Sequence, residues 1–333
     1  MLPREVAENW ESQKLSPYAA RAGGGGNRLR PEQPDDTRTC FQRDADRILH
    51  SKAFRRLMHK TQVFLMPEGD HYRTRLTHAL EVSRIARTLA RALDLNEDLT
   101  EAIALGHDLG HAPFGHAGER ALDAIIPGGF SHNAQSLRVV DRLEKAGQGL
   151  NLTAEVRDGL LHHSGGVPAL TLEGRLVHFS DRIAYLSHDV DDSIRAGILS
   201  SEDVPQDLRR ELGDTTQERI NTFVTDLVSA SAGKPDVSLS SGRMEAMAAL
   251  RAFMFSHVYE NPVAKGEEYK VMDLVARLYE HFLKHFDRIP SDLRALADID
   301  GKERVVCDYI AGMTDRYLEH IALESFIPRG WHL

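Results

Sequence analysis

His78, the adjacent pair His107–Asp108, and Asp181 are the residues of this chain whose types and spacing could do chemistry. Two imidazoles and two carboxylates make a mixed nitrogen and oxygen donor set. Such a set suits Mn2+, Mg2+, Fe2+ or Zn2+ and leaves coordination positions for water and substrate. Neighbouring helical residues point about 100° apart, so His107 and Asp108 could meet one ion only where their helix faces a packed neighbour. A lone helical histidine is more often a surface or core residue than a ligand, and a second His–Asp pair recurs at His188–Asp189. The argument lies in the surroundings. His107-Asp108-Leu109-Gly110-His111 ends an apolar helical stretch and runs into Ala112-Pro113-Phe114-Gly115-His116. Four ionisable groups gathered there are costly to bury without a task.

The elements that must position these groups read as helices. Residues 73–93 place Leu76, Leu80, Val82, Ile85, Leu89 and Leu93 on one stripe. Asn96 predicts the cap of a second helix extending to about Leu109. A third is predicted over 116–126, a fourth from Ser131 to Ala146, and a long one over 172–194. Further helices are predicted over 244–259, 267–286 and 302–323. Alternating β patterns are nearly absent. The expectation is an all-α protein: a flexible N-terminal arm over 1–40, marked by Gly23 to Gly26, Pro31 and Pro34; a catalytic core over 41–200; and a helical C-terminal part over 201–333 packed on the same domain.

The strings HDLGHAPFGHAGE (107–119), RTRLTHALEVSRIAR (73–87) and SDRIAYLSHDVDD (180–192) resemble the deoxyguanosine triphosphate triphosphohydrolase family of the HD superfamily. FRRLMHKTQVF (54–64) and DYIAGMTDRY (308–317) are similar to the same family. The resemblance implies an HD-domain helical bundle with a helical extension. It implies metal ligands at His78, His107, Asp108 and Asp181, and a catalytic pair at His116 and Glu119. His132 is implied as a further active-site histidine, and His111 and His132 could shuttle protons or hold phosphate oxygens. His116 and Glu119 are i, i+3 and can face the same way, and a carboxylate beside an imidazole supports the protonated form that a general acid needs. Arg75 and Arg251 match phosphate-contacting arginines of the family, with Arg182 beside them and Arg251 aligned through its spacing to Tyr259. Tyr185 is implied to pack on the deoxyribose, and Gln62 and Asp189 to bind its 3′-hydroxyl.

The resemblance thus implies metal-dependent hydrolysis of a deoxynucleoside triphosphate to deoxynucleoside and tripolyphosphate, with Mn2+ or Mg2+ first and Fe2+, Zn2+, Co2+ or Ni2+ also compatible. It implies a homo-oligomer, with single-stranded nucleic acid a weaker candidate partner. Two rival readings stand beside it: an HD phosphohydrolase of monophosphates or cyclic nucleotides, and a nucleotide- or single-strand-binding regulator with an idle site. The 333 residues carry a net charge of −9, which disfavours general binding to a nucleic-acid backbone. The basic stretch between Gln42 and Lys60, with Arg43, Arg47, Lys52, Arg55 and Arg56, could attract a triphosphate or form a solvated helix face. Two distant cysteines, Cys40 and Cys307, and no apolar run of membrane-spanning length predict a cytoplasmic protein without a membrane segment.

Overall fold

The computed structural model of the chain describes residues 1–24, 26–62, 73–261 and 266–328; Val63 and Phe64 of one resemblance block, and Gly25, lie outside them. Among the described residues the regular structure is helical, with two isolated bridges, Arg28 to Thr153 and Thr61 to Thr74, and no sheet. The protein is all-α, as its sequence predicts.

The helices that matter here are α1 (Pro3–Lys14), α2 (Cys40–Leu49), α3 (Lys52–Arg56), α4 (Arg75–Ala92), α5 (Glu97–Gly106), α6 (Gly115–Ile125), α7 (His132–Arg138), α8 (Ala154–His162) and α9 (Leu172–Arg195). They continue with α10 (Gln206–Leu212), α11 (Thr216–Ser231), α12 (Ser241–Met254), α13 (Glu268–Lys284), α14 (Lys302–Ala311) and α15 (Asp315–Phe326). Their starts follow local chemistry. Asn96 accepts from the Leu99 amide, Thr171 from Gly174 and Thr314 from Tyr317, each satisfying a donor that the first helical turn leaves open.

The chain forms two compact units that interleave along the sequence. The first comprises residues 1–49, 78–107 and 151–265, and the second residues 50–77, 108–150 and 266–333. In the first, α2, α5, α8 and α9 pack together around Phe41, Ile48, Leu99, Ile103, Leu160 and Leu176, all fully buried. In the second, α6, α13 and α14 bury a cluster that includes Phe114, Leu122, Val275, Leu278, Phe282 and Ile310.

Three expectations are corrected. Residues 1–40 are not a featureless arm. Helix α1 buries Glu11, whose carboxylate accepts from the Ala22 amide at 2.8 Å and from Asn96 at 3.0 Å. Arg28 then reaches the buried Asp44 at 2.6 Å. Specific polar contacts hold a stretch whose glycines and prolines argued for none. The single helix predicted over 131–146 stops at Arg138, passes through a wider turn over Val139–Leu143, and breaks at Lys145 and Ala146, both left-handed. The helix predicted over 302–323 divides at Gly312 because Thr314 caps a new one.

The basic stretch is also less open than its composition suggested. Arg43 and Arg47 pair with Glu32 at 3.1 and 2.9 Å, and Lys60 is buried.

Candidate active site

In the first unit, α4 supplies His78, the last residues of α5 lead into His107, and α9 supplies Asp181. The Nε2 of His78 lies 2.9 Å from Asp181 Oδ1, and the Nε2 of His107 lies 3.8 Å from the same oxygen. Two ligand atoms each about 2.1 Å from an ion, at octahedral or tetrahedral angles, stand roughly 3.0–3.5 Å apart. The observed spacings bracket that range. His107 is fully buried, and its Nδ1 donates to the Ala104 carbonyl at 2.7 Å. That bond fixes the tautomer and leaves Nε2 with its lone pair, as a histidine ligand requires. The donor set therefore fits a divalent ion.

Asp108 follows His107 in sequence and belongs to the second unit. Its Oδ2 accepts from Arg75 Nη1 at 2.9 Å, and its Oδ1 lies 3.2 Å from His111 Nε2. Arg75, expected to contact phosphate, is thus buried and turned onto this carboxylate. His111 stacks on His132 with ring centres 4.1 Å apart. Burial, and then the charges of Arg75 and His132, push the His111 imidazole well below its ordinary value, so it is neutral near pH 7.

Glu119 organises the rest of this unit's cluster. Its two oxygens accept from His116 Nδ1 at 3.0 Å and from the amide and Nδ1 of His132 at 2.8 and 2.9 Å. Burial alone would raise this carboxyl. Hydrogen bonds from His116 and His132 reverse that and hold it well below the usual carboxylate range. It stays ionised, fixes both rings, and turns the Nε2 of His116 outward. The His116 side chain is 65% exposed, open to a substrate.

The loop before α6 is shaped by close approach. A Cβ on Gly110 would lie 2.1 Å from the Ser136 amide nitrogen and 2.2 Å from the His132 carbonyl oxygen. Only glycine lets the loop carrying His111 pass so near the start of α7.

The remaining predicted residues gather within the first unit, apart from Gln62. Tyr185 stands one turn beyond Asp181 on α9. Burial, then the Asp181 charge, raises its hydroxyl, and Arg251 of α12 hydrogen-bonds to it. Arg182 lies between His178 and Tyr185 and acts electrostatically on both. Tyr259 donates to Asp189 at 2.5 Å. Gln62, in the second unit, has a buried Oε1 with no partner among the described residues. The second His–Asp pair separates: His188 Nδ1 faces Glu81 at 3.1 Å, while Asp189 serves Tyr259. The sequence offers His162 and His163 as lining the site without making either a ligand, and the ring centre of His163 lies 5.1 Å from that of His107. Its neighbour His162 is held by Asp158 at 2.8 Å. The position of His163, directly after another histidine, was the available signal.

Known proteins can now be set beside this geometry. The HD domain family model matches residues 75–186, and a phosphohydrolase-associated domain matches residues 237–322. A deoxyguanosinetriphosphate triphosphohydrolase-like protein of Caldanaerobacter subterraneus is 56% identical over 99% of this chain and 98% of its own. The chain belongs to this HD-domain family. Other members, from Clostridium perfringens and Geobacter sulfurreducens, are 49% and 39% identical; each match covers 98% of this chain, and 98% and 97% of theirs. A phosphohydrolase of Bacteroides thetaiotaomicron has a similar fold, with a TM-score of 0.54 at 18% identity over 85% of this chain and 68% of its own. This HD-domain protein is accordingly a hydrolase of the nucleotide phosphohydrolase kind. Among its described residues no helix is long and apolar enough to cross a membrane.

Proposed function

We propose that this HD-domain protein hydrolyses deoxynucleoside triphosphates to deoxynucleoside and tripolyphosphate. The observation that carries the reading is Glu119 holding His116 by Nδ1 while the ring stays open to solvent, in a chain that also brings His78, His107 and Asp181 together. The relatives' names, which specify deoxyguanosine triphosphate, support the substrate class.

His78, His107, Asp108 and Asp181 would hold the divalent ion, Mn2+ or Mg2+ first. When bound, it supplies Lewis acidity at a phosphate and activates water. The chain's own groups do the rest. A nucleoside 5′-alkoxide is a poor leaving group, and His116 delivers the proton it needs from Nε2. Glu119 keeps that ring oriented. Arg182 and Arg251 neutralise the phosphates. Tyr185 lies against the sugar at the 2′ carbon, which leaves no room for a 2′-hydroxyl. Asp189 and Gln62, whose buried Oε1 has no partner among the described residues, bind the 3′-hydroxyl. Because Tyr185 is one helical turn from Asp181, a sugar held at Tyr185 would place its nearest phosphate beside residues that would hold the ion. Self-association into a homo-oligomer belongs to this proposal, and sedimentation with and without nucleotide tests it.

A panel of deoxy- and ribonucleotides assayed with each divalent ion tests the reading. Metal-dependent release of tripolyphosphate from deoxynucleotides, with Tyr185→Ala relaxing the preference for deoxyribose, is expected. Release of inorganic phosphate from monophosphates alone would replace it with the rival reading.

A further inference from the structure

Apart from Gln62, the blocks around residues 54–62 and 308–317 find no use in the chemistry above, yet Lys60 and Thr61 of one meet Ala311 and Asp315 of the other within the second unit. Lys60 is 3% exposed. Its Nζ donates to the carbonyl of His111 and, at 2.8 Å, to that of Ala311 at the end of α14. Asp315, the first residue of α15 and also buried, accepts from the Thr61 amide at 2.9 Å and from the Thr61 hydroxyl. Its other oxygen accepts from the Phe114 amide at 2.9 Å. Phe114 is left-handed, with φ 59° and ψ 26°, a conformation that a bulky side chain disfavours unless its surroundings impose it. Gly115 follows at φ 56°, and α6 starts there.

One buried ammonium and one buried carboxylate thus grip both ends of the segment His111–Phe114. A buried ion is a poor way to gain stability, since apolar side chains of similar size serve as well or better. What this pair supplies is direction: it sets where His111 lies and the angle at which His116 and Glu119 enter α6. Through Thr61 the same carboxylate fastens the residue next to Gln62.

We propose that Lys60 and Asp315 are positioning residues of the reaction, holding the His111–Phe114 segment so that His116 meets the leaving group. The inference rests on the assignment of His116 as the proton donor.

The test uses the full-length protein with Mn2+ and dGTP, and amide hydrogen exchange across residues 109–116. Asp315→Asn keeps shape but replaces one acceptor by a donor. We expect it to lower kcat by roughly 10–100-fold, as a displacement near 1 Å does. KM and Mn2+ affinity should change little, and the 109–116 amides should exchange faster than those elsewhere. Lys60→Met should act the same way. Thr61→Val, a gentler change, should lower kcat in part, and Thr61→Ser should restore it. The proposal is overturned if folded Asp315→Asn keeps full kcat, if its 109–116 amides exchange as in the wild type, or if the lost activity merely tracks lost metal affinity or folded protein. A wild type inert towards every nucleotide would reject the functional reading instead; the exchange comparison would then still decide whether the pair holds the loop.

Discussion

On the proposed reading, His116 and Glu119 act as a unit. The imidazole of His116 is solvent-facing and reaches its working orientation through a single bond to Glu119. His116→Ala should therefore reduce turnover by roughly 10²–10⁴ while metal and nucleotide still bind. Glu119→Gln should remove much of the same effect, and the double variant should be little worse than His116→Ala alone. Multiplicative losses in steady-state assays would separate the two residues. Lys60 makes a different prediction. Burial, then the charge of Arg56, brings its ammonium from 10.5 down to about 7. Between those pH values the unfolded chain keeps a proton that the folded chain has released. The unfolded state binds more protons, so stability rises with pH across that window, and the cost of burying the charge is fully present below it. Lys60→Met should flatten this rise; denaturation midpoints that climb equally steeply in the variant would contradict it. The sequence suggested a candidate ligand set, because identity and order suffice for that. It did not display Lys60 or Asp315, because their role consists of backbone contacts between segments more than fifty residues apart.

At the scale of elements, the loop from Asp108 to Gly118 is the critical one. Gly110→Ala would push a methyl group against backbone on both sides, at Ser136 and His132, where no side chain can swing away. The expected loss is about 1–3 kcal/mol of stability, with turnover falling because His111 and His132 flank the displaced chain. Thermal melting and assay of the same preparation check both. Gly118 faces a similar limit, with Pro113 oxygen 1.9 Å from its would-be Cβ. Helices with strong caps were legible beforehand: Asn96 starts α5, and α9 spans the predicted 172–194 to within one residue. Helix α1 was not, since neighbouring glycines and prolines dominate the local composition while its anchors, the Ala22 amide and Asn96, lie 11 and 85 residues from Glu11. The break at Lys145 and Ala146 also has no local signal, because neither residue type prefers the left-handed region.

Along the sequence the segments of the two units alternate. The chain passes from one unit to the other at Thr77–His78 and again at His107–Asp108. Both passages fall at expected metal ligands. Linear composition carries no mark of such crossings, whereas the ordered motifs do carry the family. On the proposed reading, water attacks the α-phosphorus and the tripolyphosphate leaves intact. Incubating the Mn2+-loaded protein with dGTP in ¹⁸O-labelled water and analysing the products by mass spectrometry tests it most directly. The account predicts deoxyguanosine and tripolyphosphate in equal amounts, the label in the tripolyphosphate, and no turnover once the ion is chelated. Label in the nucleoside, a diphosphate product, or undiminished turnover in the presence of chelator would contradict it.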